Sequence, residues 1–435
     1  MTVMFFRPRP ENRGFKMVMN ELYGQTCSCC HAHEPRNEAT VSSLFTPELM
    51  ARLLADIFAR KFNVEDEIYP ELYEAARDTF ERALQEGYPI EDVDDADTLF
   101  RQALKDDADV FAAFRTHRMQ NDIASQLLDE NGKLKEFRRF QEDAESVIGT
   151  YNNHWLRTEY DTAVLRARYA ADWKRFSRNA DILPNLKWMP TTSADPDVFH
   201  MEYWRVGLTL PKTHPFWKSH HPHDRWGCKC DLEETDDPVT GTIPEVDYRP
   251  SPGLDSNPGL EPELFSHTHP YYEKAYPGAE KAVERLMAGE GIQDIIRRLE
   301  NGYPKGDAVR IGRLADDVKE FVRKKGIEPL TDEIYMTDKQ IHHSLRSVKQ
   351  KAGKAVTAEQ LAALPSLMND CEVYWDEKAG NIQFITRQDG KVQKFVVSLN
   401  YAAKIQREKK TVNAFITAGT IEERNLGMKN LVKIK

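Results

Sequence analysis

Apolar residues recur at helical spacing through residues 44–176. The stretch TPELMARLLADIFARKF places five of them on one helical face: Leu49, Leu53, Leu54, Ile57 and Phe58. Thr46 stands at the expected N-cap and Pro47 at the first helical position. Similar patterns follow in LYEAARDTFERALQEG and ADTLFRQAL, and a long one in WLRTEYDTAVLRARYAADWKRF. The sequence therefore predicts a mainly helical first part whose aromatic residues form its core.

The pattern becomes irregular from Asp181 to about Pro277, where Pro, Trp and His are frequent. Within it, DDPVTGTIPEVDYRPSPGLDSNPGLEPE has the composition of a loop or an extended linker. Short helices resume in GAEKAVERLMAGEGIQDIIRRLENG. The part from Asp181 to about Pro277, before these helices, is expected to contain little regular structure.

Near the end of the chain, two helical patterns precede segments that alternate with a period of two. The helices are QIHHSLRSVKQKAG and TAEQLAALPSLMND, and the strands are CEVYWD, NIQFITR, KVQKFVVSLN and VNAFITAG. This order predicts a small α+β domain in which helices pack against an antiparallel sheet. The whole chain is predicted to be multidomain, with the α+β domain over 321–435.

Composition is that of a soluble protein, with 40% hydrophobic and 30% charged residues among 435. No apolar run is long enough to cross a bilayer, and MTVMFFRPRPENRGFK lacks the apolar segment of a signal peptide. A cytoplasmic origin without a membrane partner is therefore expected.

Charge is distributed unevenly along the chain. Residues 321–435 contain 20 Lys and Arg against 13 Asp and Glu, a surplus of 7, whereas the rest contains 40 against 57, a deficit of 17. The asymmetry predicts different partners for the two parts. A basic C-terminal part fits contact with a polyanion and fits a solvated surface equally well.

Histidine and cysteine are concentrated in KSHHPHDRWGCKCDLEE, which suggests zinc. Cys228 and Cys230 form a Cys-x-Cys pair, tighter than the Cys-x-x-Cys pairs of many structural zinc sites. A second half-site would come from the local histidines or from a distant group: Cys27, Cys29, Cys30 and His31. From the residues alone, a zinc site and a purely structural motif both stay open.

Residues 134–272 contain a series of motifs, in the order RTEYDTAVLRARYAADW with Tyr160 and Tyr169, PNLKWMPTTSADPDVFH ending at His200, GLTLP, THPFW, WGCKC and SNPGLEPELFSHTHPYY. In this order they resemble the phage head morphogenesis family, the minor head proteins similar to protein F of phage Mu. The resemblance implies a head morphogenesis domain over 134–272, which follows a helical N-terminal region (1–133) and precedes a linker with short helices (273–320). Lys229 replaces the arginine usual in this family between the two cysteines.

That resemblance implies a virion protein near the portal, needed to build or fill the head, with portal and capsid proteins as partners. It also implies synthesis in the bacterial host cytoplasm and incorporation into the procapsid or head. No chemistry is established for the family, so no cofactor is expected. His200, Cys228 and Cys230 would then pack or hold a loop, with zinc binding as the alternative.

Residue types suited to RNA cleavage cluster in the C-terminal part. Cleavage without a metal needs an acid and a base, for which histidine is suited, and cations or hydroxyls that hold the phosphoryl oxygens. One helix carries His342, His343 and Arg346. The strands offer Lys394, which alternates with the apolar Phe395, and Thr417 at the end of NAFIT.

This part also resembles the phage-borne nucleases of the Barnase–EndoU–colicin–RelE-like superfamily, often fused to Mu-type minor head proteins. The counterparts are the histidine helix, LAALPSLM, EVYWD, FVVSLN and VNAFITAG. The resemblance implies metal-independent RNA cleavage that leaves a 2′,3′-cyclic phosphate. On this hypothesis His343, or His342, is the acid or base, Arg346 and Lys394 stabilise phosphoryl charge, and Thr417 binds the phosphate or positions the histidine.

A second hypothesis is a purely structural virion protein whose C-terminal domain binds nucleic acid or the portal without catalysis. The two hypotheses predict different surroundings for the histidines. The nuclease requires that one histidine share a cleft with Arg346, Lys394 or Thr417.

Overall fold

The computed structural model describes residues 11–24, 44–191, 196–300, 302–345, 355–368, 370–388, 390–405 and 408–435. The chain forms two compact units, Met1–Glu280 and Lys281–Lys435. The first is mainly helical and includes a three-stranded sheet, whereas the second combines helices with a seven-stranded sheet. The predicted class, a mainly helical part followed by a unit of helices and strands, is confirmed at this level.

The helices of the first unit are α1 (Glu11–Gly24), α2 (Pro47–Phe58), α3 (Pro70–Gly87), α4 (Thr98–Ala124), α5 (Phe137–Gly149), α6 (Leu156–Arg178), α7 (Val198–Arg205) and α8 (Pro270–Glu273). A π-helical segment, Thr150–Trp155, joins α5 to α6. Helix α2 begins as predicted, because Thr46 Oγ1 accepts a hydrogen bond from the Leu49 N–H at 3.1 Å. Its predicted apolar stripe is buried except for Phe58, which is half-buried.

Helix α4 is only partly indicated by the sequence, whose apolar pattern marks its first turns. The second half of α4, from Phe111 to Ala124, is buried on every side. Charged side chains are included, among them Arg115, Arg118 and Asp122. A helix that is buried all round has no polar face, so the one-sided stripe by which surface helices are identified is missing.

The irregular part of the first unit contains an antiparallel sheet of order β2-β1-β3. Its strands are β1 (Asn185–Met189), β2 (Thr209–Pro211) and β3 (Asp231–Thr235). A core of aromatic and aliphatic side chains surrounds it, including Trp188, Tyr203 and Trp217. Cys228 and Cys230 belong to the same buried cluster.

The stretch 236–263 is a loop, one of the two alternatives predicted from its composition, and it packs within the first unit. It has no helix or strand, but Leu254, Ser256 and Asn257 are buried. Arg166 of α6 donates hydrogen bonds to the carbonyl oxygens of Ser256 and Leu264, both at 2.7 Å. The composition indicates that regular structure is absent. It does not indicate that a buried arginine donates hydrogen bonds to the backbone carbonyl oxygens of such a loop.

Helix α9 (Ala279–Glu300) begins at the last two residues of the first unit and continues into the second; it is one helix of 22 residues, whereas the sequence predicted short helices in this part. The second unit also contains α10 (Asp316–Lys324), α11 (Asp338–Ser344), α12 (Ala358–Ala362) and α13 (Leu364–Leu367). Its strands are β4 (Ala308–Arg313), β5 (Glu333–Thr337), β6 (Glu372–Asp376), β7 (Asn381–Gln388), β8 (Lys391–Ile405), β9 (Glu408–Ile421) and β10 (Leu431–Lys433). They form one sheet of order β10-β6-β7-β8-β9-β5-β4.

The sheet is mixed, whereas the sequence predicted an antiparallel one. Strands β6 to β9 are the four predicted strands, and they pair antiparallel as expected. Strand β5 pairs parallel with β9, which makes the sheet mixed. Strands β4, β5 and β10 were not predicted.

Helices cover one face of this sheet. Ile341 of α11 belongs to the main buried cluster together with Phe384 of β7, Phe395 of β8 and Phe415 of β9. Strand alternation places the smaller clusters around Val412 and Val392 on the other face. Among the described helices of either unit, none is both long enough and apolar enough to cross a membrane.

Candidate functional site

Three potential metal ligands converge in the first unit. A ring nitrogen of His200 and the Sγ atoms of Cys228 and Cys230 lie within 4.8 Å of one another, and all three residues are buried. His200 Nδ1 and Cys228 Sγ are 3.2 Å apart. His200 lies in the first turn of α7, whose N-cap Asp197 accepts a hydrogen bond from the His200 N–H at 3.2 Å. The sequence named these three residues, and the structure brings them together.

The other ring nitrogen of His200 contacts a buried carboxylate and a tyrosine. Nε2 lies 3.1 Å from the Tyr248 hydroxyl oxygen, and that hydroxyl donates to Asp224 Oδ2 at 3.0 Å. Asp224 Oδ1 lies 2.9 Å from His200 Nε2, at an angle outside hydrogen-bond range, so this contact is electrostatic. Burial opposes ionisation of Asp224, but His200 holds its pKa below the usual value. Nε2 therefore carries a hydrogen directed at these oxygens, and Nδ1 faces the thiols.

Backbone contacts fix the turn that carries the two cysteines. The Cys230 N–H points at Cys228 Sγ at 3.4 Å, and Nδ1 of His223 lies 2.9 Å from the Cys228 carbonyl oxygen. Gly227 has φ of +77°, a conformation that favours glycine. Burial raises the pKa of the Cys228 thiol to about 11, so that at neutral pH this thiol stays protonated unless a cation binds it.

The other histidines of the same stretch have structural contacts. His221 is buried between the carbonyl oxygens of Pro222 (2.7 Å) and Ser256 (3.1 Å), and burial lowers its pKa to about 4. His220 stacks on Phe216 with ring centroids 5.1 Å apart. The distant candidates Cys27, Cys29, Cys30 and His31 lie outside the described residues.

In the second unit, helix α11 carries the two histidines predicted to be catalytic. It begins with a capping box, in which Thr337 Oγ1 accepts from the Gln340 N–H and the Gln340 side chain accepts from the Thr337 N–H. Ile341 points into the buried core. Because successive side chains of a helix point in different directions, His342 and His343 leave the helix in two other directions. His342 is half-buried and His343 is exposed. Arg346 lies outside the described residues.

His342 lines an open cleft with a volume of about 630 Å³. The cleft is bounded by the end of α9, by α11 and by the start of α12, with Leu299, Leu345 and Val356 among its apolar walls. Two carboxylates, Glu300 and Glu359, line the same cleft, and both are exposed.

Lys394 and Thr417 lie on a different face of the sheet from α11. Phe395 of β8 packs in the helix-covered core, so alternation directs the neighbouring Lys394 to the opposite face. Thr417 pairs with Val396 across β8 and β9, and therefore shares that opposite face. The structure does not place these two residues in the cleft of His342.

Sequence reasoning missed a buried polar network in the first unit. Arg115 Nε donates to Glu159 Oε2 at 2.7 Å, and the hydroxyls of Tyr23 and Tyr271 donate to Glu159 Oε1 at 3.0 and 2.7 Å. His269 Nε2 lies 2.9 Å from the Tyr23 oxygen, and burial lowers the pKa of this imidazole to about 3. The available signal was a charged residue inside an apolar run, as in FAAFRTH. The network links four helices and is enclosed, which suits a structural role.

Comparisons of this chain with protein-family models, with curated proteins and with solved structures find no match. Its function is therefore inferred from its residues and their geometry.

Proposed function

We propose that the chain is a phage minor head protein of the Mu protein F type, acting at the portal in head building or DNA packaging. We further propose that its C-terminal unit cleaves RNA without a metal ion. The observation that carries the second part is the open cleft lined by His342 and by two carboxylates. Lys394 and Thr417 do not line this cleft, and Arg346 lies outside the described residues, so the proposal keeps the histidine of the predicted nuclease and takes the second catalytic group from the carboxylates.

The first part is supported by where the family-like motifs lie in the fold. Tyr169, Leu210 of GLTLP, Trp217 of THPFW and Cys228 of WGCKC belong to one buried cluster. Residues far apart in sequence thus pack as a single core, as expected if the motifs define a domain.

Particles of the phage that encodes this chain should contain it, because a minor head protein stays in the assembled head. Mass spectrometry of density-purified particles measures this directly, and a nonsense codon in the gene should yield heads without DNA. A chain present in the lysate but absent from purified particles would contradict the assignment.

The chemistry of the cleft suits RNA cleavage by general acid–base catalysis. Glu300 or Glu359 removes the proton of the ribose 2′-OH, whose oxygen forms a bond to phosphorus as the bond from phosphorus to O5′ breaks. His342, in its protonated form, donates a proton to the departing O5′. The products are a 2′,3′-cyclic phosphate and a 5′-hydroxyl, so protons and bonds balance. The proposal thus assigns His342, rather than His343, as the acid.

The full-length chain should cleave a single-stranded RNA in the presence of EDTA, and His342→Ala should slow cleavage about a hundredfold or more. His343→Ala, the neighbouring residue on the same helix, is the matched control and should retain the activity. Cleavage is measured on end-labelled RNA, with mass spectrometry of the cyclic phosphate. An RNA with a 2′-deoxy sugar at the cleavage position should resist.

Equal activity in His342→Ala and the parent chain, or cleavage that requires Mg²⁺, contradicts the catalytic assignment. RNA binding without cleavage in the parent chain favours the second hypothesis, a binding unit. One observation favours binding of a polyanion in either case. Lys404 and Lys409 are exposed and lie directly opposite each other on β8 and β9, an arrangement in which like charges repel unless an anion screens them.

A further inference from the structure

The cluster of His200, Cys228 and Cys230 is unrelated to the proposed RNA cleavage and lies in the first unit. We propose that it binds one zinc ion through His200 Nδ1 and the two cysteine thiolates, as a structural site. The proposal rests on the convergence of the three donor atoms, on the contacts of His200 Nε2 and on the chemistry of the donors.

The distances suit a tetrahedral zinc ion. Zinc binds sulfur at about 2.3 Å and imidazole nitrogen at about 2.0–2.1 Å, so that its ligand atoms lie roughly 3.5–3.8 Å from one another. The observed separation of His200 Nδ1 from Cys228 Sγ is 3.2 Å, and the whole set lies within 4.8 Å. Binding therefore requires side-chain shifts below about an ångström. Water or another donor takes the fourth position.

The surroundings of His200 match those of a metal-bound histidine. Such a histidine donates its second ring N–H to a carboxylate, a carbonyl or another acceptor, which fixes the ring and strengthens it as a ligand. Here Nε2 contacts the Tyr248 hydroxyl, which in turn donates to Asp224, and Asp224 Oδ1 faces the same nitrogen. This chain of contacts orients Nδ1 towards the cysteines.

The donor set selects for zinc among common divalent ions. Two thiolates and one imidazole are soft or intermediate ligands, which bind zinc well and bind magnesium and calcium poorly. The described cysteines are free thiols, so neither sulfur of this pair is occupied by a disulfide. Bound zinc joins α7 to the turn before β3, which fixes an irregular part of the first unit where regular secondary structure is scarce.

The test measures the metal content of full-length protein purified without a polyhistidine tag from zinc-supplemented cells. Inductively coupled plasma mass spectrometry should find about one zinc per chain, and Cys228→Ser and Cys230→Ser should each lose most of it. Cys371→Ser is the matched control, since Cys371 is also a buried free thiol but lies in the second unit. That variant should keep the zinc.

Two further measurements keep the proposal testable if the serine variants do not fold. Replacing zinc by Co²⁺ in the parent chain should produce thiolate-to-cobalt charge-transfer absorption, and His200→Cys should retain metal with a stronger band because it supplies a third thiolate. Asp224→Asn should weaken zinc binding about tenfold to a hundredfold while leaving the three ligands in place.

Zinc below about a tenth of an equivalent, together with no cobalt charge-transfer band, would overturn the proposal. Equal loss of zinc in the Cys371→Ser control would also overturn it, because the metal would then not be held by this cluster. None of these readouts depends on RNA cleavage, so failure of the nuclease proposal and failure of the zinc proposal are distinguishable.

Discussion

Replacing Glu159 by alanine is expected to lower the free energy of unfolding of the first unit by about 3–5 kcal/mol. Both Glu159 and its partner Arg115 have fully buried side chains. Removal of the carboxylate leaves the Arg115 guanidinium as an uncompensated buried charge, which costs more than the pair contributes when intact. It also removes the acceptor of the Tyr23 and Tyr271 hydroxyls.

Guanidinium titration followed by tryptophan fluorescence measures this effect, since six of the seven tryptophans lie in the first unit. Glu142→Ala is the matched control. Glu142 pairs with Arg138 on an exposed helix face, where the two side chains are 60% and 90% exposed. That variant should change the free energy of unfolding by less than about 0.5 kcal/mol. If the two variants are equally stable, the buried ion pair between Arg115 and Glu159 is not formed.

Arg166→Met is expected to destabilise the first unit by about 3 kcal/mol or more and to release the segment 251–264 from its surface. The Arg166 guanidinium is buried and donates to the carbonyl oxygens of Ser256, Leu264 and His223 at 2.7, 2.7 and 3.1 Å. Methionine fills similar space but leaves these buried acceptors without donors. Burial lowers the pKa of Arg166 to about 10, so the residue still carries its charge at neutral pH.

Two measurements separate this effect from general destabilisation. The unfolding titration gives the loss of stability, and limited digestion with a glutamate-specific protease reports release of the segment through cleavage after Glu263. Arg175→Met, on the same helix but 57% exposed, is the control and should behave like the parent chain. Unchanged resistance of the segment in Arg166→Met would show that the loop is held by other contacts.

The candidate metal site shows what local sequence can and cannot supply. The Cys-x-Cys spacing identified Cys228 and Cys230 as candidates, and the resemblance to the head morphogenesis family added His200. Sequence did not distinguish His200 from His220, His221 and His223, which lie closer to the cysteines. The fold makes that choice, because α7 brings His200 to the thiols while His221 is held by backbone carbonyls.

At the C-terminal site, too, the sequence predicted the local pattern but not the contacts between elements distant along the chain. Alternation correctly assigned Phe395 to the core face and Lys394 to the opposite one. Which face α11 covers depends on contacts between distant strands and helices, so the sequence did not reveal that Lys394 and Thr417 lie across the sheet from the histidines. The cleft, and the carboxylates Glu300 and Glu359 within it, exist only through packing of α9, α11 and α12.

The sequence by itself determined the helices with one apolar face, such as α2, and the four consecutive strands β6 to β9. Those patterns report a local periodicity that any amphipathic element must have. Only the tertiary structure decided the burial of α4, the packing of the loop around Leu254, the parallel pairing of β5 with β9 and the set of residues that line the cleft with His342. Each of these depends on a partner distant along the chain that supplies burial, hydrogen bonds or pairing, and periodicity contains no information about that partner.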